Sequence, residues 1–317
     1  MIVPIAFITD ENFVMQTGVA IYSLFKNKKP ETVYDIFIIM AECDSEAEKN
    51  IRKVENDEIH INIIRTSLDM YRDIKQMSHI PISCLLKFNL CDYITKYDKI
   101  IYLDGDIYVR GDLTELYMFD LQENFLAGVP SLDMVFDDRK LINAGIILFD
   151  AKKMRENRMS EILVRERRKL GDRGSMDQQT FNMVMSDKIG FLPYQYNCVA
   201  NKLIGIEKKK FPIKRVNEIY GTNFETNKQV VDNAIIIHYA TGGKPWQYSY
   251  IKCANEWYKC FSESPYNDIK LKRKNKLQTH INGIKKNLKK GGIKALFNRV
   301  IWYVKNAFGK NDDKSWG

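Results

Sequence analysis

The stretch IIYLDGDIYV, residues 100–109, constrains this chain more than any other ten residues. Ile100, Ile101, Tyr102 and Leu103 form a short apolar run of the kind that fills a buried strand, and it runs straight into Asp104-Gly105-Asp106. Two carboxylates separated by one glycine repel each other. Taking them out of water costs on the order of several kcal/mol unless a cation or an array of donors compensates. A bound metal ion would compensate both at once.

Three chemistries use such a pair. An EF-hand calcium loop needs Asp or Asn at its fifth position and Gly at its sixth. Those places hold Tyr108 and Val109, so the loop fails despite Glu115 at the twelfth. A phosphatase of the haloacid dehalogenase type also carries D-x-D after an apolar strand, with the first Asp as nucleophile, but Tyr108 stands where that type has Thr or Val. The third is a carboxylate pair holding a divalent cation that in turn holds a diphosphate.

The surrounding pattern alternates. VPIAFITD reads as a buried strand, and NFVMQTGVAIYSLFKN as a helix with Val14, Val19, Tyr22, Leu24 and Phe25 near helical spacing. YDIFIIM is a second strand, DSEAEKNIRKVEN a helix capped by Asp44 or Ser45, and HINIIRT a third strand. ISCLLKFNLCDYI reads as a helix feeding the strand at residues 99–103. Strands alternating with helices predict an α/β fold with a mixed, largely parallel central sheet. Ligands in such sheets gather beyond the carboxyl ends of the strands, where Asp10 and Asp104 fall. Further along, FLAGVP, AGIILFD and NAIIIHY are strand candidates, and SMDQQTFNMVM is a helix with Ser175 as its N-cap.

The net charge of +9 is misplaced as a clue to the whole chain. Residues 270–317 hold 14 of the 49 lysines and arginines and only 2 of the 40 acidic residues, so they carry +12 and the rest carries −3. A nucleic-acid role therefore loses its main support. SESPYNDIK marks the end of the globular body, giving a domain at 1–264 and a basic tail at 265–317. In the tail, Ile293, Leu296, Phe297, Val300, Ile301, Val304 and Phe308 fall on one helix face beyond Gly291-Gly292. Concentrated lysine with Trp302 and Tyr303 predicts a helix lying on an anionic membrane surface, against packing on its own body or a second subunit. No apolar run reaches the roughly 18 residues of a membrane span, and the first residues lack a signal peptide's basic region. With six cysteines and no C-x-x-C pair, reduced structural thiols in a cytoplasmic, peripherally bound protein are expected.

IIIHYATGGKPW again ends an apolar run in a ligand. His238 offers an imidazole nitrogen, which with two carboxylates favours Mn²⁺, with Mg²⁺ as the alternative. Lys244 follows Gly242-Gly243, so pliable backbone presents an ammonium within reach of phosphate, although P-loop spacing is absent.

Taken in order, these segments resemble glycosyltransferase family 8, the retaining galactosyl- and glucosyltransferases of bacterial envelopes to which glycogenin is related. The resemblance covers residue 2 to about residue 260 and implies a GT-A type, Rossmann-like nucleotide-binding fold. FITDENF is similar to the family's nucleotide loop, implying Asp10 and Asn12 at uracil and ribose. YDKIIYLDGDIYV resembles its D-x-D strand, implying Asp104 and Asp106 as metal ligands around Gly105. INAGIILFD implies Asn143 and Ala144 at the donor sugar, and SMDQQTFN implies Asp177 and Gln178 as the catalytic pair beside it. HYATGGKPW implies His238 as third metal ligand, with Gly242 and Lys244 at the diphosphate. Lys87 stands where the family often has Arg on the donor side, Asp133 where it has an acid, and His79 in a loop near the sugar. The implied activity is transfer of glucose or galactose from a UDP-sugar to an envelope glycan, lipid-linked sugar or glycoprotein. Two alternatives stay open at this point: a catalytically silent UDP-sugar-binding subunit at a membrane, and the phosphatase above.

Overall fold

A strand buried on both of its pleated faces must lie between two layers of cover. In the computed structural model β1 (Ile2–Thr9) is such a strand, with Val3, Ile5, Ala6 and Phe7 fully buried. The structure describes residues 1–75, 80–136, 139–171, 176–204, 211–240, 242–275 and 277–279. β1 pairs in parallel with β2 (Val33–Ala41), and β2 with β3 (Ile59–Thr66). On its other side β1 runs parallel to β4 (Lys99–Leu103). The chain has thus built outward from β1 in one direction and then returned to its opposite flank. The crevice beyond the carboxyl ends of β1 and β4 is the switch point at which sheets of this kind receive ligands.

Beyond β4 the direction changes. The hairpin of β6 (Leu126–Phe136) and β7 (Arg139–Asp150) enters with β7 antiparallel to β4, and β8 (Ile189–Phe191) runs parallel to β6. The order is β3-β2-β1-β4-β7-β6-β8, the mixed, largely parallel sheet that the alternation predicts. A separate two-stranded ladder joins β5 (Ile107–Val109) to β9 (Ile236–His238) in antiparallel fashion. NAIIIHY is therefore a strand, but one that leaves the main sheet to meet the segment just after Asp106.

Several expectations hold at the residue level. The Val14–Asn27 helix forms as its spacing predicts, burying Val19 and Leu24. The Ser45–Ile51 helix is capped by Asp44, whose carboxylate accepts the Ala47 N–H. Other segments differ. Residues Ile82–Asn89 wind as a 3-10 helix, and only Leu90–Tyr93 are α-helical. The three-residue period of the tighter winding aligns Leu85 with Phe88, both buried. β6 and β7 run well past FLAGVP and AGIILFD, with register shifts around Pro130, which has no N–H to offer a ladder.

Residues 1–244 with 251–270 form one compact unit. Within it, Tyr266 is buried against Gly18, where a Cβ would lie 2.1 Å from the tyrosine oxygen, so only glycine fits. Residues 245–250 and 271–275 belong to a second unit, in which the Lys274 backbone bonds those of Gln247 and Ser249. The amphipathic helix expected beyond Gly291-Gly292, the His79 loop and the Ser175 cap lie outside the described residues. Among the described residues no helix is long and apolar enough to cross a membrane. All six cysteines are free thiols.

Candidate active site

Strand ends assemble the site. Asp104 is the first residue beyond β4, and its N–H donates to Gly145 O on β7 at 2.7 Å. Asp106 immediately precedes β5, whose Ile107 stands opposite His238 in the antiparallel ladder. The next residue, Tyr239, donates its N–H to Asp106 O at 2.9 Å. Backbone pairing thus delivers an imidazole to two carboxylates from far along the chain. His238 Nε2 lies 3.2 Å from Asp106 Oδ1 and 3.7 Å from Asp104 Oδ2.

Asp104, Asp106 and His238 each offer a ligand atom, and the three atoms lie within 4.8 Å of one another. Two oxygens and one imidazole nitrogen at that separation fit a divalent ion with a taste for hard donors. The remaining ring nitrogen, Nδ1, donates to Asn197 Oδ1 at 2.8 Å, so Nε2 is the nitrogen that faces the carboxylates.

The two carboxylates are not equivalent. Burial, reinforced by Asp106, raises the Asp104 carboxyl above the usual range despite the lysine beside it. Burial opposes charge on Asp106 too, but His238 and Lys244 outweigh it and hold that carboxyl well below the usual range. Lys244 Nζ bonds Asp106 Oδ2 and also Tyr239 O, the latter at 2.5 Å. Tyr102 donates its hydroxyl to Asp104 Oδ1 at 2.6 Å, fixing one oxygen of that carboxylate.

Lys87 is buried at the centre of this arrangement. Its ammonium lies 3.2 Å from Asp104 Oδ1 and 2.6 Å from Asp177 Oδ2, donates to Ala144 O at 3.0 Å, and stands 4.6 Å from the centre of the Tyr102 ring. Burial alone would lower its pKa, but Asp104 and Asp177 raise it well above the lysine norm, so the charge is retained.

The residues expected beside a sugar also converge. Gln178 Oε1 accepts from Asn143 Nδ2 at 2.9 Å and from the Ala144 N–H at 3.2 Å. Asp10 and Asn12 line a separate cavity of about 240 Å³ at the ends of β1 and β2, with Thr9, Ala41, Cys43 and Ile82. There Asn12 N–H closes a turn on Asp10 Oδ1 at 2.9 Å. Gly105 is pinned, since a Cβ would meet Thr17 Oγ1 at 2.5 Å, whereas Gly242 is exposed with open space around it. Asp133, on β6, pairs with Lys202 at 2.5 Å.

Three residues of the site escaped the sequence reading as such: Tyr102, Gly145 and Asn197. Gly145 carried a signal, since it directly follows Asn143-Ala144 in a strand candidate. Asn197 carried none, because it sits after a short 3-10 turn, Tyr194–Tyr196, with no periodicity to mark it.

Comparison with known proteins gives this geometry a context. A family model described as "Glycosyl transferase family 8" matches residues 4–249. The glycosyltransferase GlyE of Streptococcus pneumoniae serotype 4 is 27% identical over 257 residues, which is 80% of this chain and 59% of that protein. GlyD of the same organism is 25% identical over 247 residues, 75% of this chain and 28% of that protein. The chain therefore spans less than two thirds of the length of both. A lipopolysaccharide 1,2-glucosyltransferase of Escherichia coli is 22% identical over 86% of this chain and 81% of its own. Among solved structures, the galactosyltransferase LgtC in complex with donor and acceptor sugar analogues superposes with a TM-score of 0.68. The match covers 83% of this chain and 96% of LgtC at 20% identity, a likeness of fold.

Proposed function

The chain belongs to glycosyltransferase family 8, and on that premise we propose that it transfers glucose or galactose from a UDP-sugar to a cell-envelope glycan or glycoprotein, with retention of configuration. The observation that carries this is the convergence of Asp104, Asp106 and His238 at the switch point of the sheet. Relatives named for lipopolysaccharide glucosyl transfer support an envelope acceptor.

Asp104, Asp106 and His238 would hold Mn²⁺, with Mg²⁺ as the alternative, and the bound ion would supply positive charge where the departing diphosphate gathers negative charge. Lys244 is the second cation: an ammonium resting on Asp106 can turn to a β-phosphate oxygen. Asp10 and Asn12 line the cavity that suits uracil and ribose. Lys87 keeps Asp104 and Asp177 neutralised as a pair, a structural duty in place of the bidentate phosphate contact that an arginine would offer.

Bond cleavage leaves oxocarbenium character at the anomeric carbon, as in glycoside hydrolysis. Gln178 lies at the sugar, but its amide oxygen already accepts from Asn143 and Ala144. An oxygen so engaged is a still poorer nucleophile than a free amide. A same-face displacement through an ion pair therefore fits these residues better than a glycosyl-enzyme, with Gln178, held beside Asp177, serving to orient the sugar. Asn143 and Ala144 border the same sugar, and Asp133 and Gly242 complete the donor side. The first compact unit acts as the catalytic body, and the basic residues beyond 270 bind the anionic face of the membrane through their net positive charge.

The test is a panel of UDP-sugars with Mn²⁺, scored for slow UDP release without acceptor. Release from UDP-glucose or UDP-galactose, lost in Asp106→Asn, is the expected result. If no sugar nucleotide is bound or hydrolysed, the assignment fails.

A further inference from the structure

Four polar side chains run in a line from the ion site to the sugar side, and their direction is fixed. Gln178 Oε1 accepts the Ala144 N–H, and Asn143 Oδ1 accepts the Gly145 N–H at 3.1 Å. A backbone N–H cannot reverse its role, so both amides are held with oxygen inward. Asn143 must then turn its Nδ2 to Gln178, as it does at 2.9 Å. Asn197 can meet Asn143 Oδ1 only with its own Nδ2, the contact observed at 2.8 Å. That leaves Asn197 Oδ1 for His238, which must supply a proton from Nδ1 at 2.8 Å. Flipping Asn197 would set oxygen against oxygen at one end and an N–H donor against a ring nitrogen at the other.

We infer that Asn197 is a positioning residue whose amide transmits the polarity of two backbone N–H groups to His238, fixing the tautomer whose Nε2 faces the ion site and tying that site to Gln178. The backbone holds Asn197 in place. Cys198 N–H donates to Ile236 O at 3.0 Å and His238 N–H donates to Cys198 O at 2.9 Å, so residues 197 and 198 ride on β9. Asn197 is only 2% exposed, so water offers its amide no substitute partner. Metal-binding histidines owe their ring orientation to such partners, and losing one typically costs 10–100-fold in affinity or activity. The coupling rests on the proposed ion and donor, but the tautomer does not.

The experiment uses the full chain with two substitutions at one position. Asn197→Ala removes both contacts. Asn197→Asp keeps an acceptor for His238 Nδ1 but sets a second oxygen against Asn143 Oδ1. Imidazole ¹⁵N spectra of the metal-free protein read the tautomer, Mn²⁺ titration calorimetry reads the site, and UDP release reads turnover. The expected pattern is an Nδ1-protonated His238 in the native chain and in Asn197→Asp, with the preference lost in Asn197→Ala. Mn²⁺ affinity should fall about 10–100-fold in Asn197→Ala and hold within about threefold in Asn197→Asp, which should nevertheless release UDP about tenfold more slowly. The inference is overturned if Nδ1 of the native His238 carries no proton, if both variants behave as the native chain, or if both lose the Nδ1 proton, affinity and melting temperature alike. Absence of Mn²⁺ binding to the native chain would overturn the ion site and the coupling, while the spectra would still decide the tautomer.

Discussion

Gly145 lies so close beneath His238 that a Cβ on it would stand 2.2 Å from the imidazole Cε1 and 2.8 Å from Asp104 Oδ2. Its missing side chain is what lets a strand of the main sheet pass under the two-stranded ladder. Gly145→Ala should push the ring and the carboxylate apart. Mn²⁺ affinity measured by calorimetry is expected to drop at least about tenfold, and an unchanged affinity would mean that the ring has room to shift.

Lys87 should prove a structural cation. In Lys87→Met two buried carboxylates lose their common partner, and breaking a buried pair from one side costs about 3–5 kcal/mol. Urea unfolding should show a loss of that order, while Lys87→Arg, which keeps the charge, should recover part of it. Full stability in Lys87→Met would contradict the ion network.

A buried acid away from the site should contribute to acid sensitivity. Burial opposes charge on Asp35, but hydrogen bonds from Lys96, Tyr97 and Asn62 outweigh it and lower its pKa. Because the folded value lies below the unfolded one, near 3.9, the unfolded chain takes up the proton first on acidification. The stabilisation is complete above that unfolded value and is lost as pH falls through the folded one. The stability gap between the native chain and Asp35→Asn should therefore hold steady from about pH 5 to 8 and close below about pH 4. A gap that persists undiminished at pH 2 would rule out this linkage.

The basic tail should carry membrane affinity. A chain ending at Lys270, where the first compact unit ends, should lose sedimentation with anionic vesicles yet keep UDP-sugar hydrolysis. Each basic residue near such a surface contributes roughly 1 kcal/mol, so the loss should be large at low salt. Equal sedimentation of the two chains would remove the membrane role.

Local pattern made the first half of the fold legible. β1, β2 and β3 are apolar and separated by segments of helical period, so their alternation could be read from pattern alone. The ladder of β5 and β9 was not legible, because three-residue strands are too short to show alternation and their pairing is purely tertiary. The same holds for the 3-10 winding of Ile82–Asn89, whose apolar residues suit either helix. At the site, charged residues at strand ends stood out against apolar lead-ins, which is why Asp104, Asp106 and His238 could be read directly. Asn197, neutral and in a turn, acts through an amide whose meaning exists only once its neighbours are in place.

The pairing of β5 with β9 also bears on how the protein comes into being. Lys244 and Asp106 stand 138 residues apart in the chain, and the imidazole arrives with the same late segment. A growing polypeptide can lay down the first parallel strands early, yet it has no competent centre until that segment has been synthesised and has closed a long loop. Chains released before residues 238–244 would thus lack the third ligand and Lys244, so synthesis through that segment is itself a condition for the ion site to form.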